Sequence, residues 1–181
     1  PYNEAFDAIT ITEWWMLAEN DVLQMTKLGV PGVWTYSFYD GWTPNYMFSI
    51  AHGHNSIGRF YEVASYGPQN RTLRVGGTTT SREWFRPNPP LPEIEWGPRN
   101  NTNIQQSAVL FSLKYMADNA SLFLDNYWTK GKWAVQSGRE GPISAWVVPA
   151  EQYRRADAAD AVNELMRQGL EVHRADESFE S

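Results

Sequence analysis

The chain has 181 residues, of which 42% are hydrophobic and 20% charged, and its formal net charge is −6. These values are typical of a globular protein, and the acidic balance argues against nucleic acid because a phosphate-binding surface needs a basic excess. No apolar run approaches the roughly 18 residues that span a membrane, and the absence of cysteine excludes disulfides and thiolate metal sites. We therefore expect neither a nucleic acid nor a membrane as partner.

The first predicted element is a helix over about residues 11–28. Its apolar residues recur at helical spacing, and either Thr10 or Thr12 is placed to cap its first turn. Gly29 follows the last periodic residue, which is the position where glycine commonly ends a helix.

Short elements follow in the next part of the chain. We predict a buried strand at 33–36, a short helix at 44–51 and a second strand at 57–63. Because side chains alternate along a strand, the last of these has two distinct faces. One face carries Ile57, Arg59, Tyr61 and Val63, and the other carries Phe60 and Glu62.

The middle of the chain combines a long connection with a helical region. Residues 64–99 are polar and rich in glycine and proline, which predicts an irregular connection of unusual length. Residues 101–135 then return to helical periodicity in two halves. We expect this helical region to join two structured parts of the chain.

The last part of the chain predicts a βαβ unit. It consists of a strand at 145–148, a helix at 156–168 closed by Gly169, and a strand at 170–173. Two strands joined through a helix are expected to pair in parallel with a right-handed crossover. One such unit cannot bury both faces of its own sheet, so more chain or a partner is expected beside it.

Few residues qualify for metal or acid–base chemistry. No His-x-x-Glu or His-Glu-x-x-His motif occurs, and His52 and His54 either form a two-ligand pair or cap or pack the loop before the strand at 57–63. Glu62 ends a largely apolar strand. It is either buried and paired, for instance with an arginine, or held at the mouth of a site as a general base.

Several segments resemble large bacterial members of the zinc carboxypeptidase family. The block Ile57–Glu62 is the most specific part of the match, and the likeness extends over nearly the whole chain. The matching segments are residues 32–42, 45–62, 84–92, 100–106 and 141–142.

The resemblance implies an α/β fold around a mixed sheet, with Glu62 as the base that activates a zinc-bound water for peptide hydrolysis. Tyr39 or Tyr36 is the nearest match to the tyrosine that closes over the substrate. In that family the zinc ligands are an early His-x-x-Glu and a later His, upstream of the segments matched here. The resemblance therefore implies zinc as a cofactor of the full-length parent, and this chain alone is expected to bind no catalytic zinc and to be inactive.

The resemblance also implies a division of the chain. Residues 1–65 are assigned to the C-terminal part of the peptidase domain, 66–141 to a Pro-rich loop and helical connector, and 142–181 to a truncated α/β unit. A fragment of this kind exposes apolar sheet edges, so we expect a homo-oligomer or association with the missing part of the domain. The parent is expected to be secreted or periplasmic.

A different class of function stays open. The chain has nine Trp, nine Tyr and eight Phe, and such residues line sites that bind peptides and sugars. The alternative is therefore a non-catalytic peptide- or glycan-binding scaffold with a carboxypeptidase-like fold.

Overall fold

The structure, a computed structural model, describes residues 3–35, 46–64, 67–76, 80–83 and 86–179. These residues form five helices and two strands, so the mixed α and β composition is confirmed. The chain divides into two compact units, residues 1–137 and 138–181. Within the described ranges, none of the helices combines the length and the apolar character needed to cross a membrane.

Helix α1 (Ala8–Lys27) confirms the first predicted helix and corrects its start. The side chain of Asp7 accepts a hydrogen bond of 2.7 Å from a backbone N–H in the first turn. Asp7 therefore caps the helix, and the predicted caps Thr10 and Thr12 lie inside it. At the other end Gly29 has φ +74, the left-handed conformation expected after a helix terminus.

Helix α2 (Met47–Gly53) confirms the predicted short helix. The strands predicted before and after it were wrong for every residue that the structure describes. Residues 33–35 form no strand, and Tyr36 lies outside the described residues. Residues 57–63 also form no strand. A strand requires a hydrogen-bonded neighbour, and no described segment pairs with either of them.

A two-stranded antiparallel sheet occupies part of the stretch that we predicted to be irregular. Strand β1 (Arg71–Arg74) pairs with strand β2 (Glu93–Trp96), with Arg74 opposite Glu93. An ion pair of 2.9 Å joins these two side chains across the strands. The sheet is largely exposed, and cross-strand pairs of this kind stabilise it.

The predicted helical region at 101–135 is two helices. Helix α3 (Pro98–Asp118) begins with proline in its first turn and packs against α1. Helix α4 (Ala120–Glu140) follows after a break at Asn119. Tyr115 and Phe123 pack edge to face with ring centroids 6.2 Å apart, so aromatic contact spans the break.

The interior of the first unit is polar to an unusual degree. Among the residues of this unit that the structure describes, the buried hydrophobic ones are Leu17, Val22, Met25, Phe48, Ala108 and Phe123. Its buried polar and charged residues include Thr10, Glu13, Asp21, Ser49, His52, Asn101, Ser112 and Lys130. Because a buried polar group is costly unless hydrogen-bonded, these residues are expected to form specific networks.

The second unit contains helix α5 (Arg155–Arg167), which confirms the predicted helix, and Gly169 with φ +89 just after it. The predicted βαβ unit was wrong, because neither 145–148 nor 170–173 forms a strand. None of the residues of α5 is buried. Two isolated strands beside one helix bury too little apolar surface to hold a sheet together.

Candidate functional site

A tight turn after α2 directs the chain into residues 56–64, which we call the Glu62 segment. Asn55 adopts the left-handed conformation with φ 58, which asparagine tolerates better than most residues. The backbone N–H of Ser56 donates to the carbonyl of Ala51 over 2.9 Å and closes the turn. The candidate site is thus tied directly to the end of a helix.

The Glu62 segment alternates between two faces although it belongs to no sheet. Arg59, Tyr61 and Val63 are half-buried, whereas Phe60 and Glu62 are exposed. This alternation confirms the two faces predicted from the sequence. The Glu62 carboxylate therefore faces outward, while Arg59 and Tyr61 face inward and contact Asp21 and Ser112.

The inward side is held by a network that we call the Asp21 cluster: Asp21, Arg59, Tyr61 and Ser112. Arg59 Nη2 donates to Asp21 Oδ2 over 2.9 Å, and Ser112 Oγ donates to the same oxygen over 2.8 Å. The Tyr61 hydroxyl donates to Ser112 Oγ over 2.8 Å, and the Arg59 guanidinium lies 5.0 Å from the Tyr61 ring centroid. The cluster joins α1, the Glu62 segment and α3.

Asp21 is the only carboxylate of this cluster, and its side chain is almost fully buried. Burial raises the pKa of Asp21, because the low-dielectric interior disfavours the ionised form. Hydrogen bonds from Ser112, Arg59 and Tyr61 and the charge of Arg59 act in the opposite direction. The cluster thus combines a costly buried charge with partners that partly compensate it.

Two amides of α3 bind the backbone of the same segment. Gln105 Nε2 donates to the carbonyl of Tyr61 over 3.1 Å, and Asn101 Nδ2 donates to the carbonyl of Ala64 over 3.0 Å. The side chain of Asn101 also accepts a hydrogen bond from Trp96. Glu62 therefore lies between two backbone carbonyls that are both bound by α3.

His52 lies on α2 inside an aromatic cluster. It is 2% exposed, and its ring lies 5.2 Å from Trp14, 5.4 Å from Phe6 and 5.8 Å from Phe48, measured between centroids. Burial lowers the pKa of His52, opposed by a hydrogen bond to the backbone of Gly58 and assisted by the charge of Lys130. The neutral imidazole is therefore a packing residue, as in the second of the two interpretations of the histidine pair.

The described residues do not form a zinc site by themselves. His54 lies just after α2 and is exposed, so the two histidines are not the extended ligand pair considered from the sequence. No group of three or more His, Cys, Asp or Glu side chains able to hold a metal ion occurs in the described part of the chain.

Glu62 is neither buried nor paired with any described residue, so the burial and the ion pair considered for it are not observed. The nearby arginine, Arg59, binds Asp21 instead. Tyr36 and Tyr39, the two substrate-closing candidates, lie outside the described residues.

Comparison with protein-family models, with curated proteins and with solved structures returned no match to this chain. No relative therefore assigns a role to any of its residues.

Asp21 and Ser112 were not predicted from the sequence as residues of the site. Asp21 follows Leu17 by four residues, so an acidic residue lies on the buried stripe of α1. A charged residue in such a stripe needs a buried partner, and this was the available signal. The sequence does not indicate that the partners are Arg59 and Ser112, because 91 residues separate Ser112 from Asp21.

Proposed function

We propose that this chain supplies the general base of a zinc-dependent hydrolase that cleaves peptide bonds at or near a peptide C-terminus, with Glu62 as that base. The observation that carries this proposal is the placement of Glu62. Its carboxylate faces outward and is paired with no described residue, while the opposite side of the same segment is fixed by the Asp21 cluster. The resemblance of the motif that ends at Glu62 supplies the reaction class.

The zinc ligands of such an enzyme would come from outside the described residues, which hold no suitable cluster. The resemblance implies that they are a His-x-x-Glu motif and a further histidine. When bound, zinc lowers the pKa of a coordinated water and polarises the carbonyl of the scissile bond.

Glu62 has one task in this proposal, which is to move a proton. One of its carboxylate oxygens accepts the proton of the attacking water, and the same carboxyl group passes that proton to the nitrogen of the leaving amine. A carboxylate that is engaged by an arginine is a poor proton acceptor. The pairing of Arg59 with Asp21 leaves the carboxylate of Glu62 available for this task.

The test compares the full-length protein with its Glu62→Gln variant. We expect about one zinc ion per chain in both proteins, and a loss of kcat on N-acylated dipeptides of about 100-fold or more in the variant. Glu151→Gln is the matched control, since Glu151 is also exposed and lies in the other unit. Unchanged turnover in Glu62→Gln, or a full-length protein without zinc, contradicts the proposal.

A second candidate, peptide or glycan binding without catalysis, is favoured by the aromatic surface beside Glu62. Phe60 is 52% exposed, and both Phe60 and Tyr46 pack against Phe48, with centroids 6.2 Å and 5.3 Å from it. An exposed aromatic surface of this kind is suited to stacking on a ligand. Saturable binding of the same dipeptides by the full-length protein, without turnover, would favour this candidate.

A further inference from the structure

We infer that helix α3 positions the general base, and that Ser112, Gln105 and Asn101 of α3 act with Asp21 of α1 as positioning residues for Glu62. This inference rests on the proposed function, because a positioning role requires Glu62 to act in a reaction. Helix α3 thereby becomes part of the site, whereas the sequence predicted that this region only connects two structured parts of the chain.

The three α3 residues lie on one side of their helix. They are separated by four and seven residues, and such spacings bring side chains to the same face of an α-helix. All three point to the Glu62 segment: Ser112 binds the Tyr61 hydroxyl, Gln105 the Tyr61 carbonyl and Asn101 the Ala64 carbonyl. One polar stripe of α3 therefore holds one short segment at three points.

These contacts fix which residues of the segment face outward. Side chains alternate in an extended chain, so a slip of one residue exchanges the two faces. Arg59 and Tyr61 are both anchored inward, Arg59 by Asp21 and Tyr61 by Ser112. Glu62 can turn inward only if both anchors are released, and it would then approach the carboxylate of Asp21.

Water cannot readily replace these contacts. Asp21 and Ser112 are 4% and 5% exposed, and Asn101 is 4% exposed. Removal of the Ser112 hydroxyl takes a donor from Asp21 and an acceptor from Tyr61 in a region that is closed to solvent. The segment is then held by fewer contacts, and we expect Glu62 to sample more than one orientation.

The test uses Ser112→Ala and Tyr61→Phe in the full-length protein, with N-acylated dipeptides as substrates. The matched controls are Ser137→Ala and Tyr127→Phe, since Ser137 and Tyr127 are exposed on α4. We expect kcat to fall about tenfold or more in the two test variants, because misplacement of a catalytic group lowers the rate steeply. KM and zinc content should stay within about twofold of the unchanged protein, since uniform binding is not altered.

Limited proteolysis supplies a readout that does not depend on activity. Cleavage by trypsin after Arg59, whose side chain is held by Asp21, should become at least about tenfold faster in Ser112→Ala than in Ser137→Ala, because the segment opens locally more often. Ser112→Thr keeps a hydroxyl at this position and should restore both kcat and resistance to cleavage. Tyr61→Phe, which removes a single oxygen atom, serves as the test if Ser112→Ala does not fold.

The outcomes separate this inference from the proposed function. If Glu62→Gln abolishes turnover but Ser112→Ala and Tyr61→Phe behave like their controls, the positioning role is overturned and the proposed function stands. Faster cleavage after Arg59 without a loss of kcat also overturns it. If Glu62→Gln keeps full turnover, the proposed function itself fails.

Discussion

Lys130 on α4 donates to the carboxylate of Glu13 on α1, with 2.6 Å between Nζ and Oε2 and with both side chains at most 2% exposed. Thr10 accepts a second hydrogen bond from Lys130 over 3.1 Å, and Asn126 donates to the other oxygen of Glu13 over 3.0 Å. Both charges are therefore compensated in a place that excludes water. A buried ion pair of this kind makes each partner dependent on the other.

The first prediction concerns the loss of one partner of this pair. Lys130→Met should lower the free energy of unfolding by about 3 to 5 kcal/mol, because it leaves the Glu13 carboxylate buried without a counter-charge. The double variant Glu13→Gln, Lys130→Met should lose less than the single variant. Urea denaturation followed by tryptophan fluorescence measures both. Lys114→Met is the control, because Lys114 forms an exposed ion pair with Asp118 that should contribute less than about 1 kcal/mol to stability. Equal losses of stability in Lys130→Met and Lys114→Met would contradict the prediction.

The second prediction follows from the raised pKa of Asp21. The folded protein binds the proton of Asp21 more tightly than the unfolded chain does, so ionisation of this group opposes folding. The stability of the unchanged protein relative to Asp21→Asn should therefore decrease as pH rises above 3.8, the ordinary pKa, and level off above the folded-state pKa. Denaturation at a series of pH values measures this difference. A difference between the two proteins that does not change with pH would contradict the prediction.

The third prediction concerns His52, for which stability is expected to fall as pH is lowered, whereas for Asp21 it falls as pH rises. Burial lowers the pKa of His52, so below 6.5 the unfolded chain takes up a proton more readily than the folded protein. The stability of the unchanged protein relative to His52→Phe should thus fall as pH is lowered from 6.5 toward the folded-state pKa. Phenylalanine keeps an aromatic ring in the cluster with Trp14 and Phe48 but does not titrate. A difference that is independent of pH between 5 and 7 would show that His52 is hydrated in the folded protein.

The fourth prediction compares two glycines. A Cβ atom at Gly58 would overlap the Cβ and Cα atoms of Phe48, so Gly58→Ala should destabilise the protein by about 3 kcal/mol or more. Gly131 lies in the interior of α4 with open space around it, and Gly131→Ala should stabilise the protein by about 0.5 to 1 kcal/mol. Thermal unfolding of the two variants should shift the midpoint in opposite directions. A stable Gly58→Ala would mean that the turn after α2 can separate from the helix.

The helices could be predicted from the sequence, whereas the strands could not. The periodicity that defines α1 and α5 is local, and the glycines at 29 and 169 confirm their ends. Strand pairing depends on segments that are distant in the sequence. Strands β1 (Arg71–Arg74) and β2 (Glu93–Trp96) carry two charged residues each, so neither has the apolar pattern from which a strand is predicted. The apolar residues at 145–148 predicted a strand, but the described residues offer it no neighbouring strand.

The candidate site was predictable only in part for the same reason. The alternation of Arg59 and Tyr61 with Phe60 and Glu62 is a local property, and the two faces were predicted correctly. The Asp21 cluster is not local, because its members come from three elements of the chain. Sequence reasoning assigned Arg59 to the opposite face from Glu62 but could not find the carboxylate that holds it there.

The buried pair of Glu13 and Lys130 also affects how the protein is made. The two residues are 117 positions apart, so Glu13 leaves the ribosome well before its partner. At about 5 to 20 residues per second, this interval of 117 residues lasts roughly 6 to 23 seconds. During that time a carboxylate on the inner face of α1 has no counter-charge and stays hydrated. The inner face of α1 therefore cannot be completed until α4 has been synthesised.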